Sequence, residues 1–517
     1  MLLCITPIIA SAEGETAEST PTGTKITTLE GLRGITGNGD YYLANDIYID
    51  LSSVELPLIS STFTGTLDGG NNSILFQNKT TDGTVDTNGA NGETNKKVFT
   101  ESKKGIIFDT CAVARISNLT VGSAQVPVEM YCSRTAGTNN GILGWEFKNL
   151  TGNQPVYENV TVYGNIYRDN NNSLNAGLFF AEGTNNVYFI NCNAIGKIQI
   201  NKAAANVGGF VGIVRNATGS RSMHFVGCIS DVEFSSYNGV SVNSGSAIGG
   251  IVGKLNNDAN NDYKYYAKAW SCFIVKDPTL LSYNCNKGVL CAVDGNNDAA
   301  NTIKINESAT PATLSDGLKL TTNRVASIRF AYPTGIRFQT TVTGLYDTLV
   351  RYYGNDNVKL GTIIAPYDYV NDAGIFTMEA LNALEGVNNT NENGEKADNF
   401  LKSDFNGVWY GDRTVYSNNN GTGALIHKEY TYTGAIAQIL EENYAVKFCG
   451  IGYISYRTSA DAEWTTIYAN YNEVAGQSGI PAFSIQYLAN MAVNDENGGY
   501  TATQIAALQK YLPKTEG

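Results

Sequence analysis

Gly177-Leu-Phe belongs to a short motif, a glycine followed by two apolar residues, that recurs through the first half of this 517-residue chain. The copies are Gly105-Ile-Ile, Gly141-Ile-Leu, Gly177-Leu-Phe, Gly209-Phe-Val, Gly250-Ile-Val and Gly288-Val-Leu. Successive copies are 36, 36, 32, 41 and 38 residues apart. Self-similarity at a nearly constant period is typical of solenoids, in which stacked units bury the apolar faces that none could bury alone.

A second repeated line lies between the glycine motifs and shows the two-residue period of a β-strand. Its copies are Ile116-Ser-Asn-Leu-Thr-Val, Tyr157-Glu-Asn-Val-Thr-Val, Phe189-Ile-Asn-Cys-Asn-Ala, Phe225-Val-Gly-Cys-Ile-Ser and Ala269-Trp-Ser-Cys-Phe-Ile. Stacking of equivalent strands predicts one inward-facing ladder of Leu119, Val160, Cys192, Cys228 and Cys272.

Glycine and asparagine crowd the segments between these strands, as at residues 168–172 and 256–261, where they can supply left-handed backbone at corners. The pattern predicts a mainly β protein whose residues 39–306 form a right-handed parallel β-helix of the pectin-lyase-like type. It leaves open whether each copy is one looped coil or two short ones.

Composition agrees with a solenoid joined to a second domain. The chain has 54 Gly, 11 Pro and only 16% charged residues, and it is too long for one ordinary globular core. Its net charge of −13 argues against a nucleic-acid partner, because phosphate binding needs a concentrated Lys/Arg surface.

The first twelve residues are typical of the apolar part of a secretory signal peptide with an Ala10-Ser-Ala12 cleavage site. A basic n-region is missing, which indicates a truncated start or a late start codon. Residues 13–38 are interpreted as a linker and N-terminal cap. No later apolar run reaches the length of a membrane span, so the mature chain is expected to be extracellular or at the cell surface without a membrane span.

Eight cysteines follow the predicted signal peptide, and an extracellular location would favour disulfides. Cys192, Cys228 and Cys272 share one inward register, where a thiol acts as a small apolar side chain, so stacked thiols are predicted there. The remaining cysteines form no CxxC pair, and the sequence predicts no metal site or cofactor.

The N-terminal lines Tyr41-Tyr-Leu-Ala-Asn-Asp-Ile and Phe63-Thr-Gly-Thr-Leu-Asp-Gly-Gly-Asn-Asn-Ser-Ile, with the later Gly208-Gly-Phe-Val-Gly-Ile-Val and Gly249-Gly-Ile-Val-Gly-Lys-Leu, resemble GLUG-type repeats. These repeats build β-helices of bacterial secreted and surface proteins. The resemblance covers about residues 39–306. It implies a stalk, an adhesin shaft or a non-catalytic arm of a larger secreted enzyme.

After about residue 307 the period disappears, and strands mixed with helices predict an α+β C-terminal domain over 307–517. Helical patterns cover Ala482–Val493 and Thr501–Leu512, the second opened by a capping box from Thr501 to Gln504. The segment resembles an uncharacterised module of extracellular proteins from gut and rumen Firmicutes. That resemblance implies a setting and no activity.

Catalytic patterns are weak. Asp231 and Glu233 are acids of one copy with no Arg or Lys identified beside them in register, and a solvated outer face is the favoured interpretation. His224 and His427 lie in no His-Glu-x-x-His motif, and a structural role is favoured for both. Asp294-Gly-Asn-Asn-Asp298 is interpreted as a turn rather than a calcium loop.

The candidate ligand-binding residues are aromatic. Tyr263, Tyr265, Tyr266 and Trp270 lie in or after a long loop, where flat amphipathic rings suit a glycan or a protein partner. Alternatively, alternate members of this run fill the interior of the β-helix.

The sequence favours a non-catalytic secreted or cell-surface scaffold, similar to an adhesin, that binds glycans or a protein partner. The alternative is a polysaccharide lyase or glycoside hydrolase that uses the β-helix groove. The two hypotheses differ in whether acids, or an acid with Lys or Arg, meet in a concave groove. The ligand and the oligomeric state stay open.

Overall fold

The computed structural model describes residues 23–60, 62–77, 95–99, 103–132, 139–148, 155–168, 174–184, 186–200, 204–215, 221–236, 239, 241–255, 265–270, 272–294, 318–344, 346–385, 397–404, 429–457, 459–495 and 499–513. The described residues belong to two compact units, 23–294 and 318–513. The protein is mainly β and contains several parallel sheets, as the sequence predicts. In the described part of the chain, no helix is both long and apolar enough to cross a membrane.

The first unit contains four stacks of parallel strands, which we number sheets 1 to 4. Sheet 1 consists of Thr24–Ile26, Asp40–Leu43, Thr66–Asp68, Arg115–Ser117, Val156–Glu158, Val187–Ile190, Arg221–Val226 and Tyr265–Trp270. Sheet 2 consists of Ile47–Tyr48, Ser73–Leu75, Lys96–Phe99, Thr120–Val121, Val128–Cys132, Thr161–Arg168, Asn193–Ile200, Ile229–Ser236 and Phe273–Ile274. A helix, Leu29–Arg33, follows the first strand and is capped by the Thr28 side chain.

From Lys104 onward, a strand of sheet 3 and then a strand of sheet 4 follow sheet 2 along the chain. Sheet 3 consists of Lys104–Gly105, Asn139–Gly141, Leu174–Gly177, Ala205–Gly208, Ala247–Gly249 and Asn286–Gly288. Sheet 4 consists of Thr110–Cys111, Gly144–Phe147, Phe180–Gly183, Val211–Val214, Val252–Leu255 and Cys291–Asp294. From Thr66 onward, the chain visits sheets 1, 2, 3 and 4 in that order and then returns to sheet 1, so one repeat of the sequence is one coil.

Two of the connections within a coil have constant length. From Val156 onward, two residues join each sheet 1 strand to the next sheet 2 strand, and two residues join each sheet 3 strand to the next sheet 4 strand. The connections from sheet 2 to sheet 3 and from sheet 4 to sheet 1 differ in length from coil to coil. The uneven spacing of the glycine motif arises at these two places.

The predicted inward ladder is confirmed. Strand register makes Thr120, Thr161, Asn193, Ile229 and Phe273 equivalent. The residues immediately before them are Leu119, Val160, Cys192, Cys228 and Cys272, and all five are fully buried. The eight described cysteines carry thiols and are not joined in disulfides.

In two coils, the strand register places the motif glycine one residue earlier than the sequence alignment does. Gly177 precedes the turn into sheet 4, and its partners in the next coils are Gly208 and Gly249 rather than Gly209 and Gly250. Both coils contain a Gly-Gly pair, so the sequence alone offers two alignments, and the hydrogen-bonded register selects the earlier glycine.

Left-handed backbone occurs at one corner, between sheets 1 and 2. Asn118, Asn159 and Asn191 have φ of 51°, 54° and 53°, and Gly227 takes the equivalent place with φ of 61°. Asn159 Nδ2 donates to Oδ1 of Asn118 over 2.9 Å, which links one corner to the next. The segments 169–172 and 256–261, where sequence composition also predicted corners, lie outside the described residues.

Aromatic rings stack along the core of the first unit. Tyr157 and Phe189 lie 5.1 Å apart with nearly parallel planes, and Phe189 and Phe225 lie 4.9 Å apart with an angle of 3° between planes. These residues are in register in sheet 1. Parallel stacking at this spacing follows from the distance between neighbouring strands, about 4.8 Å.

The second unit contains two further sheets with helices. Sheet 5 consists of Leu318–Thr322, Ser327–Arg329, Gly335–Gly344, Glu429–Ala437 and Asn470–Tyr471, and sheet 6 of Val358–Pro366, Leu401–Asp404, Phe448–Tyr456 and Thr465–Tyr468. The helices are Tyr346–Tyr353, Tyr367–Ala373, Met378–Asn382, Ile485–Asn494 and Ala502–Leu508. The predicted capping box of Thr501 and Gln504 is present, and the last helix is shorter than its sequence pattern because a 3₁₀ turn, Gln509–Tyr511, follows it.

Candidate functional site: the outer face of sheet 2

The structure describes none of the side chains of the four aromatic residues predicted to bind a ligand. Tyr263 is not among the described residues. Tyr265, Tyr266 and Trp270 lie on the last strand of sheet 1, in register with Arg221, Ser222 and Val226, and only their main chain is described. Their binding role stays a prediction. In the same strand, Ala267 and Ala269 are buried, so part of this run does line the interior.

Sheet 2 has the longest strands of the first unit and carries a polar outer face. Met130, Ile166, Ile198 and Phe234 on these strands are buried. Alternation then places their neighbours on the opposite face of the sheet. We call this surface the polar face of sheet 2 and define it by Lys96, Glu129, Tyr131, Asn165, Tyr167, Lys197, Gln199 and Glu233.

A pair of tyrosines stands at the centre of the polar face of sheet 2. Tyr131 and Tyr167 are in register on adjacent strands, and their rings lie 4.5 Å apart with an angle of 24°. Oη of Tyr131 donates to Oε2 of Glu129 over 3.2 Å, and Nζ of Lys96 lies 4.6 Å from the centre of the Tyr131 ring. The rings are half-buried, so their position is constrained while part of their surface meets solvent.

The phenol of Tyr167 is held in its neutral form. Partial burial raises the pKa of Tyr167 to about 12, and the negative charge of Glu129 acts in the same direction. At physiological pH this group is therefore a hydrogen-bond donor and acceptor without charge.

Charges alternate along one row of the polar face of sheet 2. The register pairs Lys96 with Glu129, Glu129 with Asn165, Asn165 with Lys197 and Lys197 with Glu233. Nζ of Lys197 lies 3.2 Å from Oε2 of Glu233. Since both side chains are about half exposed, the ion pair contributes little to stability and stays open to exchange with a ligand.

This row corrects one inference from sequence. Glu233 does have a basic residue beside it in register, Lys197. Asp231 is also paired, with Oδ1 at 3.2 Å from Nζ of Lys276, although only 18% of its side chain is exposed. Glu233 keeps the predicted solvated position, whereas Asp231 is largely covered.

A second pair of acidic residues was not predicted from the sequence. Glu146 and Glu182 are in register on adjacent strands of sheet 4, and both are buried, with 4% and 3% of their surface exposed. Glu182 pairs with Arg215. Oε2 of Glu146 makes no hydrogen bond but lies 3.2 Å from Nζ of Lys148, so we treat that contact as an ion pair. Each glutamate lies five residues after a motif glycine, Gly141 or Gly177, a signal that alignment of the copies could have found.

Burial dominates the electrostatics of Glu146. Removal from solvent raises the pKa of its carboxyl group, and the Lys148 ammonium partly offsets this by lowering it. The nearby Glu182 carboxylate adds to the rise.

One of the two histidines, His224, lies among the described residues. His224 is buried, and its ring stacks on Tyr188 at 4.7 Å with an angle of 15°. His427 and Asp298 lie outside the described residues. Within the described ranges, no group of three or more His, Cys, Asp or Glu side chains is arranged to hold a metal ion.

Comparison with known proteins gave no match to any family model, curated protein or solved structure.

Proposed function

We propose that the protein is a non-catalytic secreted or cell-surface scaffold that binds extracellular glycans through the polar face of sheet 2. Residues 39–306 would form a right-handed parallel β-helix of GLUG-type repeats, and residues 307–517 an α+β module. Residues 1–12 would be the truncated signal peptide and 13–38 the linker and cap. The stacked Tyr131–Tyr167 pair supports this proposal most directly, because the register of two coils holds it among hydrogen-bonding side chains.

The chemistry of this surface suits sugars. Flat rings offer contact area to the C–H faces of a pyranose, and side chains with two rotatable bonds lose little entropy on binding. Glu129 and Lys197 lie near the pair and offer an acceptor and a donor for hydroxyl groups, whereas Asn165 between them is buried. Apart from Val98, which is in register with Tyr131 and 56% exposed, the side chains around the tyrosine pair are mainly polar, a composition that favours a glycan over a protein partner, whose interface core would be apolar.

The repeated coil explains why such a surface would be rigid. Every strand of the face continues a parallel ladder and is backed by buried side chains such as Ile166 and Ile198. A preorganised surface avoids the ordering cost that weakens binding by flexible loops. Neighbouring coils also place their side chains about 4.8 Å apart, so adjacent sugar rings could be contacted in sequence.

The enzyme alternative has one supporting observation, the stacked pair of Glu146 and Glu182 with Lys148 and Arg215. A glycosidase needs two carboxyl groups that reach the scissile bond. Both glutamates are at least 96% buried and already paired with cations, so neither is open to a polymer. The pair therefore supports a structural role better than catalysis.

A glycan array with the full chain, followed by titration calorimetry on the glycans that bind, tests the proposal. Tyr131→Ala should weaken binding by about tenfold, since stacked aromatic contacts contribute about 1 kcal/mol. Tyr332→Ala, which removes a tyrosine that is 89% exposed in the other unit, should leave affinity unchanged.

Two results would contradict the proposal. One is an array on which no glycan binds. The other is a Tyr131→Ala variant that is folded by circular dichroism and binds as tightly as the unmodified protein. Release of unsaturated or reducing sugars from the bound glycan would instead support the lyase or hydrolase.

A further inference from the structure

Two cations lie over one tryptophan in the second unit. Nζ of Lys359 and Cζ of Arg457 are each 4.7 Å from the centre of the Trp464 ring. The register of sheet 6 brings them together, because Lys359 pairs with Ser455 and Tyr456 pairs with Thr465. The two positive charges are therefore separated by at most twice the distance of each from the ring.

These charges are not neutralised by the described residues. Among those residues, no ion pair within 4.0 Å includes Lys359 or Arg457. The acids nearest in sequence, Asp356, Asp461 and Glu463, are exposed. Because no carboxylate of the described residues lies within 4.0 Å of either cation, hydrogen-bond donors of both remain open to an anion.

Arg457 is held in place before any ligand arrives. Its Nε donates to Oδ1 of Asn357 over 2.8 Å, and its Nη1 donates to the carbonyl oxygen of Ala460 over 2.5 Å. Within the described residues its Nη2 makes no hydrogen bond, so that edge of the guanidinium is available. A guanidinium held by two bonds loses little further freedom on binding an oxyanion.

We propose that Lys359 and Arg457, beside Trp464, bind a carboxylate or sulfate group of an acidic polysaccharide. The oxyanion accepts hydrogen bonds from the ammonium and the free edge of the guanidinium. The half-buried indole supplies an apolar surface for the C–H groups of the sugar that carries the oxyanion. This site belongs to the second unit and does not depend on the polar face of sheet 2.

Binding of the full chain to polygalacturonate and to dextran sulfate, with neutral dextran and sodium sulfate as references, tests the site. We expect binding to at least one acidic polymer and none to neutral dextran, with an affinity that falls as salt is raised. Lys359→Gln should weaken binding by about tenfold, since it removes one charged hydrogen-bond donor.

Lys510→Gln is the matched control. Nζ of Lys510 lies 4.7 Å from the centre of the Tyr511 ring, so this change also removes a lysine from an aromatic ring and one positive charge. Its affinity for the acidic polymers should equal that of the unmodified protein. Equal losses in the two variants would show a general charge effect and overturn the proposal.

Three further outcomes would also overturn the site. These are unchanged affinity in Lys359→Gln, equal binding of neutral dextran, and binding of sodium sulfate without binding of either polymer. The side chain of Lys359 is exposed, makes no hydrogen bond within the described residues and contacts only the Trp464 ring, so its replacement should lower the melting temperature only slightly.

Discussion

Cys192, Cys228 and Cys272 each donate from Sγ to a main-chain carbonyl oxygen of the preceding coil, at Tyr157, Phe189 and Phe225 respectively, over 3.3 Å. A thiol is small and weakly polar, so it fills the core and still satisfies an acceptor. Burial raises the pKa of Cys228 well above its ordinary value. The Cys228 thiol is therefore protonated at physiological pH, and all three thiols are packed in the interior.

Some residue contacts could be predicted from the sequence, and others could not. The ladder through the three cysteines was predictable because alternation and the repeat both identify inward positions. The pairing of Lys197 with Glu233 was not predicted, although alignment of the repeats places the two residues at equivalent positions of adjacent copies. Glu146 and Glu182 were missed because buried charges are rare in a core.

Tyr167 predicts a dependence of stability on alkaline pH. Its pKa is about 12 in the folded protein, above the ordinary value of about 10. A raised pKa means that the folded state holds the proton more tightly, so this contribution to stability is present below pH 10 and is lost as pH rises to about 12.

We expect the free energy of unfolding to fall across that interval, and to fall less steeply in Tyr167→Phe, which has no phenol to ionise. Urea titrations at several pH values measure both. Identical slopes in the two proteins would contradict a raised pKa for Tyr167.

At the scale of elements, the corner between sheets 3 and 4 limits how closely adjacent coils can pack. A Cβ on Gly177 would lie 2.2 Å from the carbonyl oxygen of Phe210 and 2.6 Å from that of Phe180. These are main-chain atoms at the start of one sheet 4 strand and immediately before the next, and they have no rotamer to change. A side chain at Gly177 would clash with these atoms, so the glycine of the repeated motif is sterically required.

Gly177→Ala should destabilise the first unit by about 3 kcal/mol, because overpacking against backbone forces strands apart. Gly31→Ala is a suitable comparison, since a Cβ there meets nothing closer than 3.5 Å and the residue is helical. It should stabilise by about 0.5–1 kcal/mol. Denaturant unfolding of both variants gives the values, and equal effects would show that the glycine motif is not sterically required.

In the second unit, the sequence predicts some of the elements but not how they pair. The capping box of the helix Ala502–Leu508 was recognisable in the chain, and a mixture of strands and helices was predicted for this part. The site at Trp464 was not predicted, because Lys359 and Arg457 are brought together by antiparallel pairing between segments almost a hundred residues apart.

At the scale of the whole molecule, the described residues form two units with separate cores. One core contains Phe189 and its stacked neighbours, and the other contains Phe338. Separate cores predict two calorimetric transitions. Phe189→Ala and Phe338→Ala should each lower a different transition, because each removes a buried ring worth about 3–5 kcal/mol.

Differential scanning calorimetry of the two variants measures this directly. A single transition, or two transitions that shift together in both variants, would contradict independent cores.

The constant two-residue connections within each coil have a consequence for how this chain can diversify. Because two corners hold the stacking register and the other two accept segments of different length, insertions at the permissive corners need not disturb the interior. A lineage could therefore acquire new recognition loops, or gain and lose entire turns by duplication, while keeping its existing framework.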